Sequence, residues 1–435
     1  MVFFRIMSAL ILAVQLATAS AAQGQTYEAP LPAQISTDPD LCAHAPCLEV
    51  MPGADSFSNR KGKPSYVEGY KTEANEKKLV GYVFLSTDIV DIPGYSGKPI
   101  VTLIGMDTNG RITGAKTLRH GESILKLGIP EAELTRFIGQ YVGKFVGEKI
   151  VIGKSHEAKD YIGLDAINSA TVTAVAQNQV MLRSGIEIAR QVGIIKPTIR
   201  PQASFTDIKD RLSWDEMVSE GSIQRLTVSL EDVGSEGDGD TIDMYFGYLN
   251  VPAVGKSVLG ETGYNSLMSR LHPGEHAIFI IANGAESFKG SGFARGGIYE
   301  RIQVAQEMDA FTFRDLDYLN LDSIEAENAP AYRESGIFII RSDRFSSAYP
   351  WSLVLIANKI DKETGARTFT SFDKQYWLPA RYLEGGHPVA ERPATVPPGM
   401  WKDWRIGIVF LGVLLAATAL ILRSKLLRRS KRPDL

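Results

Sequence analysis

The chain has 435 residues, 44 % of them hydrophobic, enough for two or three domains with cores of their own. Its formal charge is −3, from 47 basic and 50 acidic residues. Setting aside Arg5 in the leader and the net +5 of residues 423–435 leaves about −9, an acidic body that excludes nucleic-acid binding as its main function.

The first 22 residues read as a secretory signal peptide. Arg5 is the charged start, Ile6 to Ala17 the apolar run, and Ala19-Ser20-Ala21 or Ser20-Ala21-Ala22 the small-residue cleavage site. Residues 23–49 form a polar, Pro-containing leader with the two cysteines, Cys42 and Cys47, spaced C-x4-C. In an exported protein this spacing favours a local disulfide, with a thiol redox pair as the alternative. Neither Cys42/Cys47 nor the dispersed histidines make a metal site: His44 alone cannot complete a tetrahedral set.

A first folded domain is expected over residues 50–195. Leu79–Leu85 and Ile100–Met106 read as strands, and Asp107-Thr108-Asn109-Gly110 as a hairpin turn leading into a third, Arg111–Leu118. Pro130-Glu131 opens a helix to about Val142, with acids in its first turn. Glu148–Ile152 is a further strand. The hydroxyl-rich stretch Asn168-Ser169-Ala170-Thr171-Val172-Thr173 then runs into a helix over Ala174–Val192, with Asn168 or Ser169 as its N-cap. Such a helix start is a ready anion site, and Thr171 would sit in its first turn. Strands first and mixed helices after imply an α+β domain rather than a doubly wound sheet.

Two other stretches invite chemistry. Asp91-Ile92-Pro93-Gly94-Tyr95-Ser96-Gly97-Lys98-Pro99-Ile100 lies between strands. It is neither a nucleophile elbow, which requires Gly in place of Lys98, nor a P-loop. His120 and Glu122, two apart, would face one side of a strand; without a nucleophile motif beside them they read as a surface pair.

Residues 204–384 alternate short β-prone runs with turns: Ile223–Leu230, Ile242–Leu249, Ala277–Ala282, Gly297–Val304, Gly336–Ile340 and Trp351–Ile356. The pattern predicts a β-rich, sandwich-like domain. The glycines of Phe288–Gly297 read as tight turns, because G-x-G-x-x-G fails at Arg295. Residues 385–403, with four prolines, form a semi-rigid spacer. Residues 404–422 read as a single transmembrane helix, with Trp401 and Trp404 at its edge. The basic tail 423–435 follows, placing the C-terminus in the cytoplasm and the domains outside the membrane, in the periplasm.

Several of these stretches carry a family resemblance. Asp165-x-x-Asn168-Ser169-Ala170-Thr171 resembles the D-x-x-S/T-G-A-T flavin-attachment motif of extracytoplasmic FMN-binding domains, with Asn168 for Ser/Thr and Ser169 for Gly. D-I-P-G-Y-S-G-K-P-I over 91–100, H-x-E-x-I-L-x-x-G-I-P-E over 120–131, and F-K-G-S-G from Phe288 narrow the resemblance to the NosR/NirI family, from about Cys42 to the span. The resemblance implies that a flavin transferase esterifies FMN through its phosphate to Thr171, with Thr173 the fallback acceptor. It also implies that Tyr95, Ser96, Lys98 and Glu122 lie near the flavin, together with Asp165, Asn168, Ser169 and Ala170 of the motif.

A cation beside the ring would favour its reduced, anionic form. The expected role is then an inner-membrane-anchored flavoprotein that passes electrons to nitrous oxide reductase, or a related periplasmic reductase, or supports its maturation. The alternative is a non-redox sensor or docking module, possible also for nitrite reductase. Full-length relatives add membrane helices and cysteine-rich loops for iron–sulfur clusters, so either a separate membrane iron–sulfur subunit is an expected partner or the chain is a truncated or naturally short form.

Overall fold

The computed structural model describes residues 26–153, 161–197, 199–208, 210–290, 297–360 and 367–388. The signal peptide, the membrane span, the basic tail and residues 291–296 of the glycine-rich loop lie outside the described residues. Among the described residues no helix is long and apolar enough to cross a membrane.

The first sheet is antiparallel, in the order β1 (Ser56–Phe57), β2 (Val67–Glu73), β3 (Glu76–Leu85), β4 (Val101–Asp107) and β5 (Ile112–Arg119). Its strands look uniformly apolar because both faces are buried, and alternate residues enter different cores. Tyr82, Phe84, Ile104 and Met106 join Leu134, Phe137 and Met181 on one side. Val83, Leu85, Val101 and Leu103 join Ile35, Leu41 and Cys47 on the other. The segment 26–50 therefore packs as cover for the sheet's second face. Its cysteines form a Cys42–Cys47 disulfide, with a Cα separation of 5.4 Å. The β4–β5 turn follows its Asn-Gly signal: Gly110 has φ 80°, and Asp107 Oδ1 accepts from the N–H groups of Asn109 and Arg111 at 2.8 Å each.

After the Glu131–Gly139 helix come β6 (Ile150–Ile152) and β7 (Ile162–Leu164), a short parallel pair. The chain then enters the long helix Thr171–Gln191. It begins three residues before the predicted Ala174, and fifteen of its residues are buried, so it is covered nearly all round rather than along one stripe. Ala174, Met181, Ile186 and Ala189 pack into the first region's core. Toward the second region it uses polar groups: Gln179 Nε2 donates to Gln303 Oε1 at 2.8 Å, and Arg190 pairs with Asp309 at 2.9 Å.

The second region holds two antiparallel sheets, consistent with its alternating pattern. One runs β13 (Tyr318–Leu319), β14 (Glu334–Arg341), β10 (Glu275–Asn283), β9 (Asp240–Tyr248), β8 (Ile223–Ser229). The other runs β12 (Asp309–Arg314), β11 (Ile298–Gln306), β15 (Trp351–Ile360), β16 (Arg367–Tyr376). Phe246, Phe279 and Phe338 of the first share one core with Leu353, Leu355 and Tyr376 of the second. Each such side chain contributes about 1.5–3 kcal/mol by leaving water. Two helices add to this: Trp214–Glu220, which a Ser213/Glu216 capping box starts, and Pro252–Arg270, kinked where Gly260 adopts φ 71°. The molecule is thus a mixed α+β protein of several antiparallel sheets and few helices.

The far ends of β15 and β16 touch the first region. Ile356 and Phe369 are buried in its core. Gly153 lies so close to β16 that a Cβ there would stand 1.6 Å from the Phe369 carbonyl oxygen, and its φ is +83°. Both the space and the backbone conformation require glycine. Gly153→Ala should therefore destabilise the protein by about 2 kcal/mol or more, read as a lower urea midpoint with no change in slope; an unchanged midpoint would mean the two backbones are not in contact.

Candidate functional site

The site is built at the start of the Thr171–Gln191 helix. Its N-cap is Ala170, whose side chain cannot cap, and no acidic residue stands in the first turn. The predicted caps do not serve: Asn168 and Ser169 are both exposed, two and one residues too early. The helix thus presents N–H groups that no side chain of its own satisfies. Ser169 explains part of the geometry. Its φ of 61° is the left-handed conformation, which disfavours any Cβ and which the glycine of the resembling motif adopts freely.

Thr171 is the first residue of the helix, half-buried, and its side chain lines a cavity of about 440 Å³. Tyr95, Ile124, Ser169, Ala170, Val172 and Thr173 line the same cavity from the first region. Ser235, Glu286, Asn358, Lys359, Ile360 and Thr368 line it from the second. No local signal marked those six, because they lie more than sixty residues away along the chain.

The other threonine is differently placed. Thr173 is fully buried, and its hydroxyl donates to Glu122 Oε2 at 2.5 Å. Glu122 is itself fully buried and also accepts from the backbone N–H of Tyr95 at 2.9 Å and of Ser96 at 3.3 Å, and from Ser96 Oγ at 3.4 Å. One carboxylate thereby ties the 91–100 loop to the helix start. Gly94 passes so close that a Cβ would meet the Glu122 carboxylate at 2.4 Å.

Burial pushes the Glu122 carboxyl above the ordinary glutamate value, against the pull of the Thr173 and Ser96 donors. His120, 1 % exposed, is held below its ordinary value by the same loss of solvent. Its Nδ1 accepts from the Glu122 N–H at 3.1 Å, which leaves Nε2 to carry the proton, 3.4 Å from Glu131 Oε1. His120 and Glu122 are therefore not the surface pair their spacing suggested. The leader covers them: Glu131 accepts from the N–H groups of Thr26 and Tyr27, and the Tyr27 ring packs edge-on against His120.

The remaining predicted residues lie apart from the cavity. Lys98 is exposed and pairs with Glu28 at 3.1 Å. Asp165 is exposed, its N–H donating to Gln140 Oε1 at 2.8 Å. Among the described residues no cluster of His, Cys, Asp or Glu could hold a metal ion.

The residues present fit a phosphate-bearing flavin. The cavity lies within the range of small-molecule sites, about 300–1,000 Å³. Uncapped helix N–H groups and a hydroxyl at the first helical position suit a phosphoryl group, and the apolar walls of Ile124, Val172 and Ile360 suit a ring system.

Fold and site together define an α+β protein whose helix start opens a hydroxyl into a cavity shared by its two regions. No family model matches the sequence. The chain is 35 % identical over 404 residues to regulatory protein NosR of Pseudomonas aeruginosa, covering 86 % of this chain and 56 % of that protein. It is 34 % identical over 387 residues to NosR of Stutzerimonas stutzeri (82 % and 53 %), and 27 % identical over 411 residues to NirI of Paracoccus denitrificans (88 % and 56 %). The chain belongs to the NosR/NirI family. It spans about half the length of these curated relatives.

Two outcomes test this geometry. Ser169→Gly should stabilise the fold by about 1 kcal/mol, by relieving the left-handed backbone, and raise the melting temperature; a lower value would mean the serine side chain makes a contact worth more than the strain. Because the folded state holds a proton on Glu122 where the unfolded chain has lost it, stability should fall as pH rises from the ordinary glutamate value through the raised one. Glu122→Gln should remove that component, so denaturation midpoints of the two proteins should converge or diverge with pH across that window. Parallel curves would refute the burial effect.

Proposed function

We propose that this protein is an exported, membrane-anchored flavoprotein with FMN esterified through its phosphate to Thr171 Oγ1, serving a NosR-like role in denitrification. The observation that carries the reading is the contrast between two threonines. Both line the cavity, but Thr171 is half-buried at an uncapped helix start, while Thr173 is fully buried with its hydroxyl committed to Glu122. A transferase can reach the first hydroxyl and not the second.

When bound, the flavin supplies the redox chemistry, and the protein's part is to hold it and set its electrostatics. The helix start orients N–H groups toward the phosphoryl position. Glu122 holds Thr173, and through it the first helical turn, against the 91–100 loop. Tyr95 and Ile124 shield one side of the cavity from water. The partner served is a periplasmic reductase, nitrous oxide reductase first, with a flavin transferase needed for loading and a membrane iron–sulfur electron source.

The description of the relatives as regulatory proteins favours a second reading, in which the chain regulates or docks a reductase without carrying electrons. One substitution separates the two. In cells with the transferase, Thr171→Ala should abolish flavin fluorescence of the denatured band and cut nitrous oxide reduction at least tenfold, whereas Thr173→Ser should keep both. Loss of the fluorescent band with reduction intact would support the regulatory reading instead.

A further inference from the structure

The cavity at Thr171 is not a property of the first region alone. Its far wall is the end of the β15–β16 ladder, where Lys359 pairs with Thr368 and Asn358 with Phe369. This wall is held in place by packing. Ile356 and Phe369 are buried in the first region's core, and Gly153 brings two backbones into contact at Phe369. The end of the ladder is therefore fixed against the helix whose first residue is Thr171.

Two charged side chains line the cavity among the described residues, Glu286 and Lys359. Glu286 is neutralised, because its carboxylate accepts from the Arg301 guanidinium and from Asn358 Nδ2 at 3.3 Å. Lys359 is half-buried, and its ammonium makes no ion pair or hydrogen bond among the described residues. The cation named from the sequence, Lys98, is turned away and paired with Glu28. Among the described residues the cavity thus has two positive features, the uncapped helix start on one wall and the Lys359 ammonium on the other, and the one carboxylate lining it, Glu286, is paired.

We propose that Lys359, supplied by the second region, is the counter-charge for an anionic flavin nucleotide bound at Thr171, and that the second region completes the flavin site. The inference rests on the flavin reading of the cavity. A lysine serves as a mobile point charge for a phosphoryl oxygen, and being half-buried it is screened less than an exposed one. Among the described residues that line the cavity from the first region none is cationic, so the two regions act as one binding unit.

Free ligand binding tests this separately from the ester. In the full-length Thr171→Ala chain, which cannot be esterified there, FMN and riboflavin are titrated by quenching of their fluorescence. FMN should bind more tightly than riboflavin. Adding Lys359→Met should weaken FMN about tenfold and leave riboflavin unchanged, with Lys359→Arg restoring most of the loss. Lys98→Met should change neither. Equal weakening of both flavins would place Lys359 at the ring rather than the phosphate and overturn the phosphate assignment; an unchanged FMN affinity would overturn the inference outright.

Matching melting temperatures for the Lys359 variants exclude a folding defect, and a lowered one is resolved by Lys359→Arg, which must recover stability and affinity together. If neither flavin binds the Thr171→Ala chain, the inference fails, while an ester in the unsubstituted chain would still stand on its own mass.

Discussion

The buried carboxylate of Glu122 is the joint on which this site depends. It accepts from the buried Thr173 in the first turn of the long helix and from two backbone N–H groups of the 91–100 loop. Removing such an acceptor would leave buried donors unsatisfied at about 1–3 kcal/mol each, so the loop and helix start are held in one register. Thr171 stands two residues before Thr173, and its direction into the cavity is a consequence of that anchoring. The cost of burying a carboxyl is visible in its raised proton affinity. His120, which accepts from the Glu122 N–H, links the site to Glu131 and the leader at Thr26–Tyr27.

The second constraint is the burial of the Thr171–Gln191 helix between both regions. An ordinary surface helix shows one apolar stripe, but here Gln177, Asn178 and Gln179 are buried as well. Gln177 Nε2 donates to Thr102 Oγ1 at 3.0 Å, and Asn178 Oδ1 accepts from the Tyr141 hydroxyl at 2.6 Å. With Gln179 bonded to Gln303, the helix is fastened by directional contacts on opposite sides. Its start therefore faces a cavity whose walls belong to different parts of the chain.

How much of this could be read in advance follows from the range of each interaction. The strands around Tyr82, Met106 and Phe279 carry β-prone runs bounded by turn residues, and the structure has strands there. β16 and the Pro252–Arg270 helix had no such signal, since the first alternates threonine and charge and the second mixes glycine and serine through a kinked helix. The attachment motif drew attention to Thr171, but local capping rules placed the cap on Asn168 or Ser169. The left-handed backbone at Ser169 instead delays the helix to Thr171. His120 and Glu122 looked exposed because what packs against them is distant in sequence: Tyr27 of the leader for His120, and the 91–100 loop and Thr173 for Glu122. Lys359 was invisible for the same reason: its partner wall is set by the contact between Gly153 and Phe369, which no sequence window spans.

The chain matches about half the length of relatives described as NosR and NirI, and the proposed flavin site joins a threonine at an uncapped helix start to a cavity of about 440 Å³. The most direct measurement is peptide mapping by mass spectrometry of the exported protein from a host with flavin transferase. The account predicts an added mass of one FMN group confined to the peptide bearing Thr171 and fragmenting at that residue. An unmodified Thr171, or the same mass located on Thr173, would contradict it.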